Sequence, residues 1–206
     1  MKSLDDYMAR RYPAGGQSII HSREMNLLER LLERAGGLFE SLLDCPSGYG
    51  RLTDILARRS GLLVSSDLST GTVAAHNHYF KNRMERYSDT ACDVTRLPFR
   101  NWAFDGMVTF RLFHHLVTEE TRKAVFKEAA RVSRRFFLIS YYRSSSLHEF
   151  SRKLNRNGSV RNGRKAFLDS ARILDEAGHA GWKLVESHRV LPVIHAQTVA
   201  LFMKTG

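Results

Sequence analysis

Cysteine is scarce in this chain. Cys45 and Cys92 are the only two in 206 residues, and they stand far apart with no CxxC spacing, which gives no basis for a disulfide framework or a cysteine zinc site. A reducing compartment fits that usage, and a cytoplasmic location is expected. The opening MKSLDDYMARRYPAGG holds no apolar h-region, and no run approaches the length of a membrane span, so neither secretion nor an integral membrane segment is expected; peripheral contact with a membrane surface stays open. Repeats and low-complexity tracts are absent as well. Acidic residues are outnumbered: Lys plus Arg total 32 against 21 Asp plus Glu, a formal net charge of +11. That balance favours an anionic small molecule, a nucleic acid or a membrane surface as partner, although a solvated basic face has the same composition.

What is present is a core-forming pattern. Hydrophobic residues make up 43% of the chain, enough for one sizeable core, so residues 1–206 are expected to form a single domain. Short apolar runs alternate with helical periodicity, the signature of an α/β sheet built from crossover units. SREMNLLERLLERAGG reads as a helix capped by Ser22 and stopped at paired glycines. FESLLDC is then a buried strand, GRLTDILARRSG a helix ending near Gly61, and LLVSSDL a second strand ending on Asp67. A third lies around DTACDV, followed by the loop TRLPFRNWA. FDGMVTFRLF and RFFLISYY flank a helix opened by Thr118 to Thr121, and after a late helix WKLVESHRVLPV and AQTVALFMK read as an antiparallel pair at the sheet edge.

The stretch SLLDCPSGYGRLTDIL carries the first chemical signal. In an open parallel sheet, ligands sit beyond the carboxyl ends of the strands, where the first strand turns into its helix. Gly48 and Gly50 stand there; without a Cβ they admit a ligand close to the backbone, and the helix opening near Arg51 turns N–H groups toward an anion. A ligand-free strand-to-helix turn has the same spacing. The third glycine of a dinucleotide fingerprint is missing, because that position is Thr53. Asp67 lies about twenty residues on, the separation at which a carboxylate meets ribose hydroxyls, and it serves equally well as a cap for the following helix. Asp93 ends the third strand. Three carboxylates on one rim repel each other unless a ligand bearing donors lies among them.

LLDCPSGYGRLTDIL, SSDLS and CDVTRLPFRNWAFDGMVTFRLFHHL together resemble the class I S-adenosylmethionine-dependent methyltransferases, in particular the group whose fourth strand ends in a double-histidine motif. The resemblance runs from about residue 40 to 140. It implies a Rossmann-like, seven-stranded, mostly parallel sheet with helices on both faces and an antiparallel C-terminal strand pair, and S-adenosyl-L-methionine as cofactor. Carried over by position, it puts the methionine end of the cofactor on Asp44, Ser47, Gly48 and Gly50. Asp67 would hold the ribose, with Leu68 and Ser69 beside the adenine; Asp93 would accept from the adenine amine with Val94 alongside. Arg111 and His114 would line the cofactor floor. Pro46 departs from the family pattern, standing where a first glycine is usual and removing an N–H donor.

Methyl transfer from a sulfonium is an in-line displacement that rests on orientation and exclusion of water. A base helps a hydroxyl acceptor, and His114 and His115 are the candidates, each equally readable as packing beneath the cofactor. His76 and His78 do not share a helix face, so no metal site is expected. Two segments depart from the family core: an N-terminal helical segment, 1–40, and a basic, lid-like insertion, 143–166. In the insertion Arg143, Arg152, Lys153, Arg156, Arg161, Arg164 and Lys165 face only Glu149. The expected acceptor is therefore an anionic small molecule or lipid-linked group, methylated on oxygen or nitrogen. Aromatics are sparse between those basic residues, so nucleic acid is less favoured; an RNA methyltransferase, or a non-catalytic module acting through a protein partner, are the rival readings.

Overall fold

The structure, a computed structural model, describes residues 16–143, 167–191 and 195–205. Seven strands form one sheet: β1 Phe39–Asp44, β2 Ser60–Asp67, β3 Tyr87–Ala91, β4 Phe104–Thr109, β5 Ser133–Tyr142, β6 Trp182–Leu191 and β7 His195–Lys204, in the spatial order β3-β2-β1-β4-β5-β7-β6. The first five are parallel, and β7 enters antiparallel between β5 and the edge strand β6. Strand order reverses between β1 and β4, whose carboxyl ends therefore open onto a crevice with no crossover helix across it.

The helices are α1 Gly16–Ala35, α2 Thr53–Arg59, α3 Thr70–Phe80, α4 Glu119–Val132 and α5 Ser170–His179. Both faces of the sheet are covered, which is why its central strands read as continuous apolar runs. Successive residues of β1 point to opposite faces: Leu42 joins Leu28, Leu31 and Leu32 of α1 and Leu56 of α2 in one cluster, while Leu43 joins Val125, Phe126 and Ala129 of α4 in the other. Thr118 caps α4, its hydroxyl accepting the N–H of Thr121. Arg122, one turn into that helix, donates to the buried Glu176 of α5 and to the carbonyls of Leu116 and Val117, which ties the segment after β4 to both helices.

Several boundaries differ from the sequence expectation. α1 begins at Gly16, so Ser22 lies inside the helix, because Ile20 already packs against the core. Gly61 is a residue of β2 and not a helix stop; Ser60 ends α2, its backbone turning extended and its hydroxyl donating to the carbonyl of Leu56. β3 stops at Ala91, two residues before Asp93. β4 stops at Thr109, because the chain then turns sharply and Arg111 takes a left-handed conformation, φ +56°, with its N–H held by Ser140 Oγ at 2.8 Å.

Candidate functional site

The turn after β1 is built by its own backbone. Ser47 N–H donates to the carbonyl of Ser66 at 2.8 Å, Gly48 N–H to Asp67 Oδ2 at 3.1 Å and Gly50 N–H to the carbonyl of Ser47. These three N–H groups are satisfied inside the protein, and Pro46 has none. Asp67 holds two loops at once, since its other oxygen accepts from Ser69 N–H at 3.0 Å. Ser69 in turn caps α3 through Thr72 N–H. The cap expected of Asp67 therefore falls to Ser69.

Gly50 has φ +83°, and a Cβ there would overlap His76 Nε2 and the Phe80 ring. His76 is itself pinned, with Nε2 at 2.9 Å from Thr53 Oγ1 and Nδ1 at 2.7 Å from Asp89 Oδ1. Gly48 has φ +56° and open space around it. Gly50→Ala is expected to cost about 2 kcal/mol more stability than Gly48→Ala, the second paying only the left-handed backbone and the first overpacking as well. Thermal unfolding of the two variants checks this; equal losses would refute the close approach of His76.

The three strand-end acids occupy three different environments. Asp44 is fully buried, neither carboxylate oxygen has a hydrogen-bond partner, and burial pushes its pKa up to about 8, Asp67 adding to the rise and Arg51 opposing it. Asp67 is half-buried and bonded to backbone N–H groups. Asp93 is exposed and accepts from the Thr95 N–H and hydroxyl, both at 2.8 Å, bonds that hold its carboxyl below the usual range. The repulsion anticipated among them is relieved first by the proton that burial keeps on Asp44 and by the backbone donors of Asp67.

Two cavities meet at Pro46. The larger, about 590 Å³, is lined by Cys45, Leu68, Cys92, Asp93, Val94 and Leu112, among others; the smaller, about 260 Å³, by Ser47, Gly48, Arg51, Asp67, Phe110 and Arg111, among others. Leu68, 74% exposed, stands at the rim of the larger one. No helix fills the segment 92–103 between β3 and β4, which leaves that side open. Sequence reasoning did not foresee that the two cysteines share a cavity: the Cys45 thiol, hydrogen-bonded to Cys92 and buried, is pushed up, while that hydrogen bond draws Cys92 down to about 7.

His114 and His115 lie on a 3₁₀ turn, Phe113–His115. The His114 ring is buried, 4.0 Å from that of His115 and 4.6 Å from that of Tyr142, whereas His115 is exposed. Neither lines the two cavities among the described residues. Of the basic insertion, residues 144–166 fall outside the described residues, as do residues 1–15 of the N-terminal segment. No cluster of three or more metal-ligating side chains occurs among the described residues.

A parallel sheet that opens between β1 and β4 onto carboxylates at successive strand ends is the architecture of the class I methyltransferases. The sequence agrees through the centre of the chain, where residues 42–135 match the family model described as a methyltransferase domain. No curated protein matches the chain by sequence. Among solved structures it is similar to magnesium protoporphyrin IX methyltransferase (ChlM) from Synechocystis PCC 6803 with bound SAH, at 16% identity and a TM-score of 0.77, covering 98% of this chain and 94% of that one. An S-adenosylmethionine-dependent methyltransferase from Clostridium acetobutylicum ATCC 824 matches at 12% identity and 0.75, with 97% and 96% covered. N-methyltransferase NodS from Bradyrhizobium japonicum WM9 matches at 14% and 0.68, with 91% and 97% covered.

Proposed function

We propose that the protein transfers the methyl group of S-adenosyl-L-methionine to an oxygen or nitrogen of a small or lipid-linked anionic acceptor. The observation that carries the cofactor placement is Asp44, a fully buried carboxyl whose two oxygens lack any partner beside a turn of small residues. Buried polar atoms call for a partner, and a bound ligand with donors supplies one here. On this reading Asp44, Ser47, Gly48 and Gly50 hold the methionine end, Asp67 the ribose, and Leu68, Asp93 and Val94, which line the larger cavity, the adenine with Ser69 beside it, while Arg111 forms the floor from the smaller cavity. Bound there, the cofactor supplies an electrophilic sulfonium methyl group.

The chain's own part is to hold the acceptor in line and keep water out. His115, exposed beside the buried His114, is the better placed of the two to take a proton from a hydroxyl acceptor, and His114 supports it through ring contact. Seven basic residues between 143 and 165 against one acid favour an anionic acceptor. Incubating the protein with methyl-labelled cofactor and separate small-molecule, lipid and RNA fractions tests this. Label is expected in small or lipid-extractable species that an anion exchanger retains; label confined to RNA would overturn the acceptor class.

A further inference from the structure

Glu24 is a buried carboxylate upon which donors from three separate segments of the fold converge. It sits on α1 with no exposed surface; Arg51, from the turn before α2, donates to it at 2.6 Å, and Arg111, after β4, donates twice, at 2.6 and 3.1 Å. Gln197 of β7 donates through Nε2 to the same oxygen, Oε1, that receives Arg111 Nε. Burial alone would raise the Glu24 carboxyl, but Arg51 and Arg111 override it and hold it below its ordinary value, so it is ionised. Burying an ion pair contributes little net stability, because desolvation offsets the attraction. Such an arrangement earns its place by orientation.

The orientation has a direction. Arg51 and Arg111 both line the smaller cavity. Arg51 also lies over the Phe110 ring, 5.8 Å from its centroid, and the backbone of Arg111 is locked by the bond from its N–H to Ser140. Two guanidinium groups about one carboxylate carry a net charge of +1, which matches a single carboxylate ligand, and guanidinium recognises carboxylates through paired N–H donors. We propose that Glu24 is a positioning residue, which with Gln197 fixes Arg51 and Arg111 as a paired seat for the amino-acid carboxylate of the cofactor and thereby couples docking of α1 to cofactor binding. This rests on the cofactor placement proposed above.

A carboxylate could reach this seat from the cofactor or from the acceptor, and two ligands separate the sources: S-adenosylhomocysteine, and 5′-methylthioadenosine, which keeps the nucleoside and sulfur but lacks the amino acid. Titration calorimetry on the wild type, Glu24→Gln and Gln197→Met reads both. Glu24→Gln is expected to weaken S-adenosylhomocysteine about tenfold or more and methylthioadenosine less than twofold; Gln197→Met, which removes a donor but keeps the bulk, is expected to weaken the first about threefold with the same selectivity. Should Glu24→Gln fail to fold, the selectivity of Gln197→Met decides alone. Equal losses on both ligands, unchanged affinity, or tighter S-adenosylhomocysteine binding from the added positive charge would overturn the inference, while a wild type that binds neither ligand would overturn the cofactor placement with it.

Discussion

Replacing Asp67 with alanine is expected to weaken S-adenosylhomocysteine binding by about a hundredfold, near 2.7 kcal/mol. The carboxylate already accepts one backbone N–H on each oxygen, from Gly48 and Ser69, and each oxygen retains a second acceptor site for a ribose hydroxyl. A hydrogen bond to a charged group contributes about 1.5–3 kcal/mol. On the proposed placement, loss of Asp67 removes the ribose contacts, and it also releases the two loops that it holds together. Asp67→Asn keeps one acceptor and is expected to lose about tenfold. Calorimetry measures both, and a loss under threefold for the alanine variant would show that the ribose lies elsewhere.

The second large effect is a pH dependence set by Asp44. Its carboxyl is raised from 3.8 to about 8 in the folded protein, chiefly by burial. Between those values the native state keeps a proton that the unfolded chain has released. The stability this supplies is complete below about pH 4, falls as pH rises by up to about 1.4 kcal/mol per unit, and is gone above about pH 8. Denaturant unfolding of wild type and Asp44→Asn from pH 5 to 8 is expected to show that slope in the first and its removal in the second. Ligand binding runs the other way: an ammonium group beside Asp44 favours the ionised form, so wild-type affinity for S-adenosylhomocysteine should tighten from pH 6 to 8 while the asparagine variant stays flat and weaker. Equal pH slopes in the two proteins would remove Asp44 from the site.

The two effects depend on the same turn for different reasons, and the cofactor links them. Asp67 is bonded to backbone donors and lines the smaller cavity, whereas Asp44 is fully buried and accepts from no donor in the protein. Alanine at 67 should therefore depress affinity at every pH, and asparagine at 44 should depress it mainly at the alkaline end. Measuring both across one pH series separates a loop defect from a missing charge.

Local pattern was enough to read the sheet's parallel core, the glycine turn, the three acids and the antiparallel tail, because strand periodicity, turn residues and strand-end position are properties of neighbouring residues. It was not enough for boundaries that packing sets. Ser22 looks like a cap and Gly61 like a stop, yet Ile20 is drawn into the core and Gly61 into the β1–β2 ladder. The differing states of Asp44, Asp67 and Asp93 were equally hidden, since burial and backbone donors arise only when the strands align.

What the sequence determined by itself was the class of fold and the order in which the chain delivers carboxylates to one rim, both encoded in spacing along a single strand or turn. Tertiary structure alone decided the meeting of Glu24, Arg51, Arg111 and Gln197, and the sharing of one cavity by Cys45 and Cys92. Those contacts join residues far apart in the chain, and no local period records them; the first exists because α1 packs on β6 and β7, which brings Glu24 to Gln197, and the second because β1, β2 and β3 are neighbours in the sheet.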